Sequence, residues 1–449
     1  MKVFAPGAYH HGNRGDAALV MGFVEWIHGS WPDAEITITS FRPESDQAAL
    51  GIPAIDMVTR PETTLTRVLV GVLRRTPLIG KQVLSLFHIA FISLVLLTLR
   101  GWTVLDTVSK HRSDWLLPDH VKRNVDEIRH ADAIITIPGG YLIAQRWTDT
   151  LWLYHLPTLM LAHWLRKDVV IGPCSFGPFS GPSRKFAMAL WKMANRIYLR
   201  EVESLEIAQD MDLDLERAIS TRDLAFLLTA AKEESSVASY DTSQLVALRE
   251  QGRALLGVSA REYHFPNSRN VKHEMKLYQH GLVDAIEILV SRYGDAIPVI
   301  VAQTEEDELI TRTFFAQLEQ RGIDALIITD ASSPQALLAI YENLHVMVGT
   351  RMHANILSLN CGVPVVAIAY EPKTLGILRT LGLEDWSLPI TDVAHTTKVR
   401  DMLLDRWSNR ERAATLAAER VSDARSRLIV DARSIEIEHE LATSRRTKP

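Results

Sequence analysis

Between Val346 and Val363 the only charged or imidazole side chains are Arg351 and His353, set between an apolar run and a helical pattern. A planar guanidinium grips a carboxylate or phosphate with two hydrogen bonds. Imidazole is the side chain that titrates near neutrality, so His353 is the natural proton carrier of the pair. Arg261 follows an apolar run at 255–260 in the same way, and Tyr370-Glu371-Pro372-Lys373 follows another at 363–369. Pro372 fixes a turn there, so Glu371 and Lys373 either reach a ligand or cap the next helix. The chemistry on offer is anion binding coupled to proton transfer.

A second candidate is the turn Gly7-Ala-Tyr-His-His-Gly-Asn-Arg-Gly-Asp16. Glycines at a strand-to-helix turn let a ligand approach the backbone, and a helix start favours an anion. Gly12, Asn13 and Gly15 are therefore candidates for holding a phosphate or acceptor, as are Gly139 and Gly140. Asp16 is a second candidate acid or base, or else an N-cap. The turn is no P-loop, because Asn13 and Arg14 stand where Lys and Ser/Thr would be, and it contains no G-x-G-x-x-G. His10 and His11 lack a carboxylate or thiol set, so no metal site is expected.

These residues follow strands, and the strands must position them. Apolar runs predict strands at 2–5, 34–41, 132–138, 168–175, 196–199 and 218–221, then at 255–260, 297–302, 325–329, 346–348 and 363–369. Helical patterns separate the later ones at 271–293, 307–321, 334–343 and 353–360. Lack of polar alternation in the strands indicates parallel sheets covered on both faces. The fold class is α/β, with two Rossmann-like doubly wound parallel sheets. Ligands gather at the carboxyl edges of such sheets, so the polar segments would line one crevice if the two sheets faced each other. A shift to Glu, Ser and Lys marks a linker at 229–251, between an N-terminal domain at 1–228 and a C-terminal domain at 252–390. Charged helices close the chain at 391–449.

With 449 residues, 47% of them hydrophobic, two cores are expected. A net charge of −5 gives no general surface for nucleic acid. Cys174 and Cys361 provide neither a disulfide framework nor zinc spacing, and the start of the chain shows no signal-peptide pattern; a cytoplasmic protein is expected. The apolar run Val83 to Leu99, flanked by Arg74, Arg75, Lys81 and Arg100, reads either as a core helix or as a helix on the inner face of a membrane.

The segments Gly-Asn-Arg-Gly-Asp-Ala-Ala at 12–18, Gly-Gly-Tyr at 139–141, Gly-Pro-Phe at 177–179, Leu-Arg-Glu at 199–201, Gly-Thr-Arg-Met-His at 349–353 and Tyr-Glu-Pro-Lys at 370–373 occur in one order. In that order they resemble the polysaccharide pyruvyl transferase family, most closely the branch of colanic-acid-type exopolysaccharide synthesis. The resemblance implies a glycosyltransferase-B-like pair of domains, phosphoenolpyruvate as donor, a sugar hydroxyl pair as acceptor and no further cofactor. It assigns donor binding to Arg351, Met352, Arg261 and Lys373 and proton transfer to His353. The donor side would be the C-terminal domain and the acceptor side the N-terminal one. A lipid-linked acceptor would give the 83–99 run a reason to meet a membrane. A nucleotide-sugar glycosyltransferase and a non-catalytic glycan-binding relative are the alternatives that share this fold.

Overall fold

The computed structural model describes residues 1–7, 11–59, 79–110, 112–229, 241–266 and 268–447. His10, Arg74, Arg75 and residues 230–240 of the expected linker lie outside the described residues. The chain forms two compact units. The first comprises Met1–His11, Phe23–Asp223 and Ile429–Pro449, and the second comprises Gly12–Gly22 and Leu224–Leu428.

Unit 1 is built on β1 (Lys2–Ala5), β2 (Glu35–Ser40), β3 (Ala54–Asp56), β4 (Ala133–Ile135), β5 (Gly139–Ala144), β6 (Val169–Phe179), β7 (Arg196–Leu199) and β8 (Ala218–Ser220). They run β3-β2-β1-β4-β6-β7-β8, all parallel, with β5 paired to β6. The Asp119–His130 helix shows why helices cover this sheet: Val121, Asn124, Val125 and Ile128 recur at helical spacing and are buried, while the rest of its surface is charged. Each aliphatic side chain buried in this way contributes about 1.5–3 kcal/mol.

Unit 2 contains β9 (Ala254–Ser259), β10 (Ala296–Val301), β11 (Leu326–Ile328), β12 (Val346–Gly349), β13 (Val365–Ala369) and β14 (Ser387–Pro389), in the order β11-β10-β9-β12-β13-β14. Counted within the unit this is the 3-2-1-4-5-6 order of a Rossmann fold, whose topological switch point falls between β9 and β12. Every residue of β9, β10 and β12 is buried, which explains their unbroken apolar sequences.

The division at 228 and 252 read from the sequence needs correction in three places. Gly12–Gly22 leaves the N-terminal unit and packs with the second, where a side-chain carbon on Gly22 would lie 2.1 Å from the Leu224 carbonyl oxygen. Residues 224–228 go with the second unit too, and Asn360 donates to the Ala225 carbonyl at 2.6 Å. The C-terminal helices are not separate: 391–428 belong to the second unit and the chain from Ile429 to the first, where Asp431 accepts from Thr221 at 2.5 Å. Composition carries no record of where a helix docks: inside the linker expected at 229–251, Ser243–Glu250 is a helix of the second unit with Leu245 buried.

The apolar run at 83–99 lies inside one long helix, Ile79–Val108. By length and composition this helix could cross a membrane, and only 17% of its most apolar stretch is buried. The core-helix reading therefore holds for one face, where Ile92 and Leu99 are buried, and not for the other, where Leu94 and Leu97 are exposed.

Candidate functional site

The second unit holds the candidate site. Ser259 of β9 pairs with Gly349 of β12, so Arg261 and Arg351, each two residues further on, leave the sheet side by side at the switch point. Asn355 ties down the second turn, donating to the carbonyls of Gly349 at 3.0 Å and Arg351 at 3.2 Å. That leaves Arg351 extended at the start of the Met352–Asn360 helix. Buried Tyr278 braces the same turn, with its hydroxyl 2.7 Å from Thr350 Oγ1.

Arg351 does not present an open fork. Its Nε lies 2.9 Å from Asp307 Oδ2 and its Nη2 2.6 Å from Asp307 Oδ1, with Thr304 Oγ1 accepting from Nη2 at 3.1 Å. Burial alone would lower the Arg351 pKa, but hydrogen bonding and charge from Asp307, joined by Tyr370 and Glu306, leave it raised. The sequence assigns Asp307 only to a helix start. The observed turn after β10 explains its second role, since the Thr304 N–H donates to Asp307 Oδ2 at 3.2 Å and fixes the carboxylate that receives Arg351. The Thr-x-x-Asp spacing of a capping box was the signal for it.

Arg261 is differently placed. Its guanidinium lies over the Tyr370 ring at 4.3 Å, its Nη1 donates to the Tyr370 hydroxyl, and its Nε donates to the Glu262 carbonyl at 3.3 Å. Among the described residues no carboxylate pairs with it. Tyr263 stands beside Tyr370, with ring centroids 5.4 Å apart, which gives the half-buried guanidinium an aromatic wall. Lys373 is paired at 2.7 Å with Glu371, the residue that starts the Pro372–Thr380 helix. Met352 is buried, so it could serve a ligand only through its backbone.

The glycine turn supplies the other half of the site. Asn13 bridges to Thr304, its Oδ1 accepts from the Gly15 N–H at 3.0 Å and its Nδ2 donates to Asp16 Oδ2 at 2.8 Å. His353 lies on Gly15: a side-chain carbon there would be 2.2 Å from Nδ1 and 2.9 Å from the histidine Cβ. Only glycine admits the imidazole at that distance. Gly12, Asn13, Gly15 and Asp16 therefore belong with His353 and Arg351, not on the N-terminal side where the sequence placed them. Gly7 does stay in the first unit, donating to Thr39 Oγ1 at 2.9 Å.

Arg14 went unread as a site residue. It begins the Arg14–His28 helix and is 6% exposed, and its Nη1 is buried with no hydrogen-bond partner among the described residues. Burial lowers its pKa, with Glu305, Asp307 and Tyr341 acting in the opposite direction. The clue in the sequence was an arginine between two glycines at a helix start.

The remaining candidates lie in the first unit. Gly139 and Gly140 are not a loop; they open β5, with Gly139 paired to Cys174 of β6. Arg200, Glu201, Ser175 and Asp223 do meet, but as a closed cluster. Arg200 Nη1 lies 2.8 Å from Asp223 Oδ2, Nη2 lies 2.9 Å from Ser175 Oγ, and its side chain is 1% exposed. Burial raises the Glu201 pKa, against the pull of Arg200. His11 is taken by Asp46 at 2.6 Å. Burial pushes both thiols, Cys174 and Cys361, well above their usual range.

The whole chain is similar in fold to two sets of solved structures. Anabaena HepE in complex with UDP-glucose aligns with 98% of this chain and 100% of its own at 13% identity and a TM-score of 0.53. The UDP-GlcNAc 2-epimerase of Neisseria meningitidis, bound to UDP-GlcNAc, gives the same coverage, identity and score. At such identities the likeness carries the fold alone, a glycosyltransferase-B-like pair of Rossmann-like domains. In sequence the chain is 23% identical over 429 residues to the amylovoran biosynthesis protein AmsJ of Erwinia amylovora, covering 93% of this chain and 96% of that protein. The family model for polysaccharide pyruvyl transferase matches residues 13–372, from the turn that carries Gly15 to the helix that follows Glu371. On that match, this chain belongs to the polysaccharide pyruvyl transferase family.

Proposed function

We propose that the protein transfers the enolpyruvyl group of phosphoenolpyruvate onto a sugar of an exopolysaccharide or its precursor as a cyclic ketal, releasing phosphate. The observation that carries this reading is the pair Arg261 and Arg351, leaving neighbouring strands at the switch point with His353 seated on Gly15 between the glycine turn and the sheet. Phosphoenolpyruvate has a carboxylate and a phosphate on one small enol and needs cations at both ends. Arg261, free of any carboxylate among the described residues, is the principal donor clamp. Arg351 is anchored by Asp307 and contributes field, together with the edge of its guanidinium turned from Asp307. Lys373 joins if the donor displaces Glu371 from it.

In the reaction, His353 delivers a proton to the enol methylene and one sugar hydroxyl attacks the cationic carbon. Phosphate departs from that carbon, and a second hydroxyl closes the ketal. Of the two hydroxyl protons, one ends on the new methyl group and the other leaves with phosphate, so no cofactor is consumed. Asp16, held by Asn13, is the candidate to receive a hydroxyl proton. The likeness to AmsJ, a biosynthesis protein named for amylovoran, supports a saccharide acceptor in this role.

The test is incubation with phosphoenolpyruvate and candidate glycans, following phosphate release and the mass of the glycan. Phosphate release that depends on acceptor, with a pyruvyl mass gain, is expected. Thermal stabilisation by UDP but not by phosphoenolpyruvate, with no phosphate released, would overturn the reading in favour of a nucleotide-sugar enzyme.

A further inference from the structure

The Ile79–Val108 helix has one face held by its own unit and one that its unit leaves bare. On the held face Ile92, Leu99 and Trp102 enter the core. Ser85 Oγ donates to the Thr148 carbonyl at 2.9 Å, and buried Asp106 pairs with Arg129 at 2.7 Å. On the other face stand Val83, Leu86, Leu94, Leu97, Val104 and Val108, in steps that keep to one side of a helix. Leu86 is 59% exposed, Leu97 70% and Val108 76%. The stripe runs about 38 Å at 1.5 Å per residue.

Its polar members are already satisfied: Ser93 and Thr98 donate to the carbonyls of Ile89 and Leu94, both at 2.7 Å, so neither offers the stripe a free hydroxyl proton. Along the sequence of this stretch the charges are of one sign. From residue 63 to 105 there is no Asp or Glu, while Arg67, Arg74, Arg75, Lys81 and Arg100 fall in that span, in a chain whose net charge is −5. Arg100 is exposed and lies 5.5 Å over the Trp164 ring. Past the helix, Lys110 and Arg112 are exposed. The next acids along the chain, Asp106 and Asp114, both pair with Arg129, and Asp149, in the loop that meets Ser85, accepts from the Arg146 N–H at 2.8 Å. Trp115, 79% exposed, follows. An indole of this kind suits the depth of lipid headgroups.

We propose that this face docks on an anionic lipid bilayer, with the helix lying in the plane of the interface, its stripe at the acyl boundary and its basic residues among the headgroups. A spanning orientation would pull Ser85, Trp102 and the Asp106–Arg129 pair out of the unit's core. A second copy would bring basic flanks against basic flanks. The proposal stands independently of the reaction.

The test uses the full chain and vesicles of phosphatidylcholine with and without phosphatidylglycerol. Co-sedimentation is expected with the anionic vesicles and should weaken with salt. Leu94→Glu with Leu97→Glu should cut the bound fraction at least about tenfold while circular dichroism and the melting temperature hold. Lys110→Glu with Arg112→Glu should reduce both binding and its salt dependence. Absence of binding to anionic vesicles, or binding unaffected by the Leu94/Leu97 change, would overturn the proposal. So would resistance to alkaline carbonate extraction, which marks a span, or a dimer dissolved by Leu97→Glu in a protein that ignores vesicles.

Discussion

Two arginine clusters sit at the carboxyl ends of parallel strands in this molecule, and they have opposite characters. In the first unit Arg200 is sealed from solvent, bonded to Asp223 and to Ser175, with Glu201 buried alongside. In the second, Arg351 is mostly buried against Asp307, but its neighbour Arg261 lies half-exposed on an aromatic ring with no carboxylate among the described residues. The first guanidinium has its hydrogen bonds made within the fold, whereas Arg261 has no carboxylate partner among the described residues. A saturated buried cluster specifies structure, because losing one partner strands a charge in a poor dielectric.

This contrast can be broken by experiment. The largest effect should follow Arg200→Ala, which leaves Asp223 and Glu201 buried without their cation and should cost about 3–5 kcal/mol of stability in denaturant unfolding. If that variant melted normally yet lost turnover, the first cluster would be catalytic and the comparison wrong. His353→Ala should do the reverse, lowering turnover about 100-fold to 10,000-fold with the melting temperature nearly unchanged. Gly15→Ala should cost about 100-fold in kcat by pushing the imidazole off its seat, since displacements near 1 Å have that effect; a fully active Gly15→Ala enzyme would show that His353 has no need of this position.

The smallest effect sharpens the structural side. His155 stacks on Tyr141 with ring centroids 4.2 Å apart, and burial pushes its pKa down to about 3. The unfolded chain would take up that proton near 6.5. Below pH 6.5 the unfolded state therefore holds more protons, so the His155 contribution is complete above 6.5 and is lost as pH falls toward 3. The loss should be about 1.4 kcal/mol per unit in that window. His155→Phe, which keeps a ring against Tyr141, should be less sensitive to acid than the parent by that slope when melting is followed between pH 7 and 5.

The sequence was most legible where secondary structure and burial coincide. The apolar runs at 255–260, 297–302 and 346–348 became β9, β10 and β12 within a residue or two, and the helix expected at 271–293 spans Val271–Arg292. Short elements escaped: Ala54–Asp56 and Ser387–Pro389 are three-residue strands at the sheet edges, too short to show a pattern of their own. Gly139-Gly140 resembles a ligand loop because glycine permits both a turn and a strand, and here strand pairing with β6 decided. At the candidate site, the sequence could place Arg261 and Arg351 at strand ends and His353 at a helix start, which is where the structure has them. Asp307 and Arg14 left only a capping-box spacing and an arginine beside glycines as signals, because what sets them apart is tertiary: Arg351 lies against the carboxylate, and burial leaves one guanidinium nitrogen of Arg14 without a hydrogen-bond partner among the described residues.

The seat of His353 on Gly15 has a practical consequence for dissecting the protein. The two motifs are separated by more than 300 positions in the chain, yet they form one steric unit, with a single hydrogen atom as the tolerated side chain. A fragment cut at 252–390 would omit Gly12–Gly22 as well as the helices after 390, and would expose the surfaces they cover. Any minimal version of the second half must carry residues 12–22 grafted to 224–428, and a swap of the Arg-Met-His segment between relatives should travel with its glycine.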